Sequence, residues 1–182
     1  MRTVACIDAV RGDTTISSEA LTRPTWRFVY SRPAHWVAFV GGIGLIRFAP
    51  GTFGTLAAFP LHALLVQYVA GFAHLAVIAL LFVAGIWAAG RTNHDLGVSD
   101  HGGIVWDETV AFLLVLFFCP PDRLWQAFAF LLFRLFDIFK PQPIRYFDRT
   151  LHGGFGVMLD DVLAAGYTVL LLAVAKTVLD GV

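Results

Sequence analysis

Five apolar runs separated by short charged segments set the main constraint on how this chain can fold. They are Leu56–Ala70, closed by Gly71; Phe72–Gly90, interrupted only by His74; Thr109–Cys119, ended by Pro120-Pro121-Asp122-Arg123; Leu124–Phe136; and Val162–Leu179. A helix that crosses a bilayer needs about 20 apolar residues. The second and fifth runs come close to that length. The third and fourth are too short to span alone, and read either as buried helices or as a hairpin that spans by recruiting its ends. Strand-like alternation is weak, so the predicted fold is all-α. The expectation is a compact helical bundle integral to the membrane, with about two helical hairpins, over 56–90 and 109–136, plus a C-terminal helix.

Composition agrees. The 182 residues are 58% hydrophobic and only 14% charged, whereas soluble domains average about 25% charged residues. Thirteen basic residues balance thirteen acidic ones, so the clustered basic face of a nucleic-acid binder is missing and no nucleic-acid partner is expected. Cys6 and Cys119 lie far apart in unlike contexts, and neither a disulfide framework nor a zinc site follows from them. No apolar h-region of a secretory signal precedes the first run. Residues 1–34 read as a mobile polar N-terminal arm and residues 35–182 as one membrane domain.

Each hairpin returns the chain to the side it left. The segment up to Gly54, Arg91–Glu108 and Arg134–Asp161 are therefore expected on one membrane face. Eleven of the thirteen Lys and Arg residues fall in these three segments, with only Arg123 and Lys176 outside. The positive-inside rule makes that face cytoplasmic.

Ionisable groups beside membrane-grade sequence are costly and usually functional. Asp107 and Glu108 immediately precede an apolar run. Acids favour a helix N-terminus, which is the bland explanation, but two adjacent acids beside Trp106 and apolar flanks cost more than capping requires. Asp160 and Asp161 open the fifth run in the same way, and one acid would suffice for a cap. Arg134, Asp137 and Lys140 are spaced i, i+3, i+6 and share a helix face that Pro141 ends. Asp137 then sits in a last helical turn, where the dipole disfavours an acid and a cation must hold it. His94 and His101 read as structural or solvent-facing. Gly51 and Gly54 alternate with Thr52 and Thr55 after Pro50. That segment reads as a tight turn with an N-cap Thr, or as a loop offering N–H groups and hydroxyls to an anion; it lacks the Walker Lys-Ser/Thr pattern.

Several acids brought to one face need a counter-ion. Mg²⁺ takes carboxylate oxygens and bridges to substrate phosphate, and Arg134, Lys140 and Arg145 could clamp a phosphoryl group. Other phosphatase chemistries lack their motifs. Neither cysteine has an arginine six positions later, there is no Asp-x-Asp, and no Ser-Gly-His occurs.

Four blocks in order, Ala49–Thr55 (APGTFGT), His101–Glu108 (HGGIVWDE), Phe133–Asp148 (FRLFDIFKPQPIRYFD) and Gly153–Gly166 (GGFGVMLDDVLAAG), resemble the phosphatidylglycerophosphatase A family over roughly His35 to Lys176. The resemblance implies an all-helical, Mg²⁺-dependent phosphatase of the bacterial inner (cytoplasmic) membrane. Its substrate would be phosphatidylglycerophosphate and its products phosphatidylglycerol and inorganic phosphate. The family's motif acids map onto Asp107, Glu108, Asp137, Asp160 and Asp161.

The expected site follows from both readings. Glu108, Asp137, Asp160 and Asp161 hold Mg²⁺, Asp107 and Asp161 are catalytic, and Thr52, Thr55, Arg134, Lys140 and Arg145 bind phosphate. Attack by water activated at the metal and attack by an aspartate to give an acyl phosphate both fit these residues. The bilayer and the lipid substrate are the expected partners, with no protein partner implied. A non-enzymatic cation channel or lipid scaffold would explain the hydrophobicity, but a conducting path would show acids without matching Arg and Lys.

Overall fold

The computed structural model describes residues 24–180, and every regular element among them is helical. In chain order these are α1 (Trp26–Val29), α2 (Pro33–Ala38), a 3-10 stretch (Val40–Leu45), α3 (Pro50–Tyr68), α4 (Phe72–Leu96), α5 (Trp106–Phe118), α6 (Arg123–Phe139), α7 (Ile144–Thr150) and α8 (Gly153–Asp180). Most of the predicted arm, residues 1–23, lies outside the described residues. The rest of it forms the single turn of α1 and the start of α2, and Val29 is buried.

The centre of the molecule is α5. Thr109 to Leu113, Val115 and Leu116 are all buried, as expected for a helix that is apolar on every side. At 13 residues it is about 20 Å long, shorter than a bilayer core of about 30 Å. Helices α3, α4 and α8 pack around it, and α4 also runs along α8. Phe112 of α5 anchors the core, with ring centroids 5.3 Å from Phe59 of α3, 5.9 Å from Phe130 and 5.4 Å from Phe133 of α6.

The chain does reverse at Gly71 and at Pro120–Asp122. Yet α3 packs far more on α5 than on α4, its neighbour in sequence. Near the reversal α3 and α4 meet through His62 and His74, whose rings lie 5.4 Å apart. Sequence hairpins are therefore not packing pairs here.

Close approach of α3 to α5 follows from small residues on one face of α3. Gly51, Gly54, Thr55 and Ala58, spaced i, i+3, i+4, i+7, are its buried residues. A Cβ on Gly54 would crowd Val105 at 2.7 Å, and Thr109 Oγ1 donates to the Gly54 carbonyl at 2.8 Å. Such small-residue faces let helix backbones come together.

Helices α4 and α8 are long and apolar enough to cross a membrane, and only 28% and 22% of their most apolar windows are buried within the chain. Leu80, Val83, Leu170 and Val178 remain more than half exposed. A soluble core helix would bury such side chains, so this surface marks the protein as membrane-associated. The start of α3, end of α4, start of α5, end of α6 and start of α8 gather at one end of the bundle, beside α1, α2 and α7. The three polar segments meet there, as the chain reversals require.

Candidate active site

Asp107 and Glu108 occupy the first turn of α5, and Asp161 approaches from α8. One carboxylate oxygen from each lies within 4.8 Å of the other two. Asp107 and Asp161 are buried, and the Glu108 side chain is 14% exposed. The backbone organises the pairs: Glu108 N–H donates to Asp107 Oδ1 at 3.0 Å, and Asp161 N–H to Asp160 Oδ1 at 3.1 Å. Burial, reinforced by the neighbouring Glu108 charge, pushes the Asp107 carboxyl well above the usual carboxylate range. Burial raises Glu108 as well, against the lowering effect of its hydrogen bond with Asp107.

Two cations border this cluster. Arg134 Nη1 stands 2.5 Å from Asp137 Oδ2 and 3.8 Å from Glu108 Oε1, and donates to Thr55 Oγ1 at 3.5 Å. Lys140 Nζ bridges Asp160 Oδ2 at 2.5 Å and Asp148 Oδ1 at 2.6 Å. Burial alone would lower the Lys140 pKa, but its hydrogen bonds to Asp148 and Asp160 hold it above the ordinary lysine value. Asp137 and Asp160 each have a cation in direct contact, whereas among the described residues Asp107, Glu108 and Asp161 together share only the long Arg134 contact. Glu108 Oε2 is buried without a hydrogen-bond partner among the described residues. A cluster of buried acids with an orphaned oxygen is a donor set of hard oxygens short of positive charge, and it fits a divalent cation.

The structure brings Asp107, Glu108 and Asp161 together, with Asp137 and Asp160 at the edge in ion pairs. Thr55 is fully buried and donates to the Gly51 carbonyl at 2.9 Å, so its oxygen positions Arg134. Thr52 lies in the first turn of α3, its N–H on the Ala49 carbonyl. Arg145 is exposed and donates to the carbonyl of Phe139, the last residue of α6, without an ion pair to these acids. A cation there also complements the helix C-terminus.

One local reading is corrected. The Gly51–Thr55 segment is not a turn with an N-cap Thr, because α3 begins at Pro50 with Ala49 as its cap. The glycine-rich stretch after His152 is likewise helical, because α8 already starts at Gly153. Asp160 is thus seven residues into α8, and capping does not explain it.

Sequence reasoning missed two features. One is the role of Gly51, where a Cβ would overlap Glu108 Oε1; its signal was the small-residue face of α3. The other is an ion network outside the acid cluster. Buried His35 meets Asp95 at 3.0 Å, and Arg91 and Arg32 reach the same carboxylate at 3.2 and 3.5 Å. It ties α2 to the end of α4. His35 sits in the apolar stretch Pro33–Phe39, and nothing local announces its partner.

The family model described as "PgpA: Phosphatidylglycerophosphatase A" matches residues 36–176. The chain is 48% identical over 141 residues to a Haemophilus influenzae protein named phosphatidylglycerophosphatase A, covering 77% of this chain and 86% of that one. It is 41% identical over 139 residues to the Escherichia coli protein of the same name, covering 76% and 80%. A Bacteroides thetaiotaomicron protein named putative phosphatidylinositol-3-phosphatase is 38% identical over 158 residues, covering 81% and 98%. No solved structure matches the chain. The acid-bearing helix ends all fall inside the matched span, and the chain belongs to the phosphatidylglycerophosphatase A family.

Proposed function

We propose that this chain hydrolyses the terminal phosphomonoester of phosphatidylglycerophosphate, giving phosphatidylglycerol and inorganic phosphate. The observation that carries the reading is the Asp107–Glu108–Asp161 carboxylate cluster, with Arg134 and Lys140 at its border. Acids bind a divalent cation and the bordering cations bind phosphate, a combination suited to phosphoryl transfer.

Glu108 and Asp161, with Asp137 and Asp160 at the edge, are the proposed Mg²⁺ ligands. Bound there, Mg²⁺ supplies positive charge for the phosphoryl oxygens and makes water more acidic. Arg134 and Lys140 orient the phosphate, aided by Thr52, Thr55 and Arg145. Water attacks phosphorus in line, the ester P–O bond breaks, and the lipid oxygen leaves, taking up a proton to become the free hydroxyl of phosphatidylglycerol. Asp107 is the proposed acceptor of the water proton, because a carboxyl held above its usual range is a stronger base than an ordinary one. Asp161 is the second catalytic acid, in reach of both.

The acyl chains would lie along the apolar faces of α4 and α8 while the headgroup meets the acids at the interface. The weighting of Lys and Arg towards the acid-bearing end supports a multi-pass protein of the bacterial inner membrane with its site on the cytoplasmic face.

The test is phosphate release by purified protein in detergent, with Mg²⁺ and then with EDTA. Mg²⁺-dependent release from phosphatidylglycerophosphate is expected. Phosphatidylinositol 3-phosphate is the comparison substrate, given the name of the Bacteroides relative. Release from that lipid alone, or no release from folded protein, would overturn the reading.

A further inference from the structure

Beside the acid cluster lies a cavity of about 590 Å³ that the mechanism above does not use. Its walls include Trp26, Leu45, Ile46, Arg47, Pro50 and His101. Among the described residues no carboxylate lines it, and Arg47 is the one Lys or Arg in its wall. Arg47 is exposed and makes no ion pair or side-chain hydrogen bond with another described residue. The ring of His101 is fixed by the Gly103 N–H, which donates to Nδ1 at 3.0 Å. Trp26 and Ile46 on the wall are 59% and 38% exposed, and neighbouring Phe48 is 83% exposed. An apolar, aromatic rim beside a basic residue suits the lipid headgroup boundary.

The cavity and the acid cluster share a wall. Pro50 lines the cavity, and the next residue, Gly51, is packed against Glu108 and Arg134. On the other side, Gly103 lines the cavity and leads within five residues to Glu108. An anion in the cavity would therefore sit next to the acids.

The proposed substrate carries two phosphates, a terminal monoester and a diester that joins the headgroup to the diacylglycerol. The acid cluster serves the monoester and repels any further anion. We infer that the Arg47 cavity is the subsite for the bridging phosphodiester, and that Arg47 is the residue that makes the enzyme prefer a diester-bearing lipid phosphate. This rests on the lipid-phosphatase reading and adds a specificity-determining residue to it. The Trp26 and Ile46 rim receives the start of the acyl chains.

The experiment compares wild type, Arg47→Gln and Arg47→Lys on phosphatidylglycerophosphate and on phosphatidic acid, a lipid monoester without the bridging diester. The ratio of kcat/KM for the two lipids is expected to fall about tenfold or more in Arg47→Gln, mainly through KM, as loss of one charge-assisted hydrogen bond predicts. Arg47→Lys should recover part of the ratio. An unchanged ratio in Arg47→Gln would overturn the assignment. The same proteins are then titrated in neutral detergent with phosphatidylglycerol, which has the diester and no monoester. Binding about tenfold weaker in Arg47→Gln supports the subsite, and equal binding overturns it. That second arm reads the subsite without turnover, so failure of the subsite is separable from failure of the phosphatase reading.

Discussion

Gly51 faces Glu108 so closely that a methyl group on its Cα would overlap Glu108 Oε1. The first turn of α3 thus forms one wall of the acid cluster, and the missing side chain is what leaves room for the carboxylate. Gly154 is bare for a different reason. A Cβ there would overlap the Ile86 carbonyl where α8 crosses α4. Gly51→Ala is expected to keep or raise thermal stability, since alanine favours a helix by up to about 1 kcal/mol over glycine. The Glu108 carboxylate must swing away, so phosphate release should fall steeply. Gly154→Ala meets backbone that cannot swing away, and should cost about 1–3 kcal/mol of stability. Thermal melts and turnover of both variants check the contrast.

Asp161→Asn removes one charge from the three-carboxylate cluster while keeping the side chain's shape. Asp161 is 3% exposed among two other acids, so the metal-free variant should be as stable as wild type or more so. Phosphate release should drop at least about a hundredfold. Unchanged turnover would remove Asp161 from the site.

Arg134 holds Asp137 and Glu108 with all three side chains no more than 15% exposed. Arg134→Met leaves two nearly buried acids without their cation, and breaking such a pair costs about 3–5 kcal/mol. Arg134→Lys keeps the charge but loses the planar fork, so stability should be partly kept while KM rises. Denaturant melts beside steady-state kinetics separate the two effects.

The Asp107 and Glu108 carboxyls both lie above their usual range, and at Glu108 protons compete directly with the proposed divalent cation. A group whose folded pKa is raised contributes stability at low pH that is lost as pH rises through the folded value. The metal-free protein should therefore lose stability as pH rises through the raised values. Mg²⁺ binds the ionised form and should restore it. The gap between melting temperatures in Mg²⁺ and in EDTA is expected to widen with pH and to close as pH falls below the raised values. A gap that is constant over that range would place the metal elsewhere.

Much of this was legible before any coordinates. The apolar runs give helices α3 to α6 and α8, because apolar sequence between Gly and Pro breaks has few other options. The paired acids, and the shared face of Arg134 with Asp137, follow from local spacing, and the ion pair forms as that spacing requires. The helix starts at Pro50 and Gly153 were not legible. Glycine and proline usually break helices, and here packing against α5 and α4 keeps glycine-rich first turns helical.

The sequence by itself determined an all-helical membrane-associated chain, with acids and cations gathered at one end, and the family it belongs to. Those properties depend on composition, periodicity and residues near one another in the chain. The tertiary structure alone decided that α5 is the hub, that Asp107 and Glu108 join Asp161, and that Lys140 neutralises Asp160. It also set Arg47 in a cavity beside the acids. These are contacts between residues 50 or more positions apart in several cases, and they arise from how closely small-residue faces let helices approach. Hydrophobic periodicity says that a face is buried, but only packing says against what.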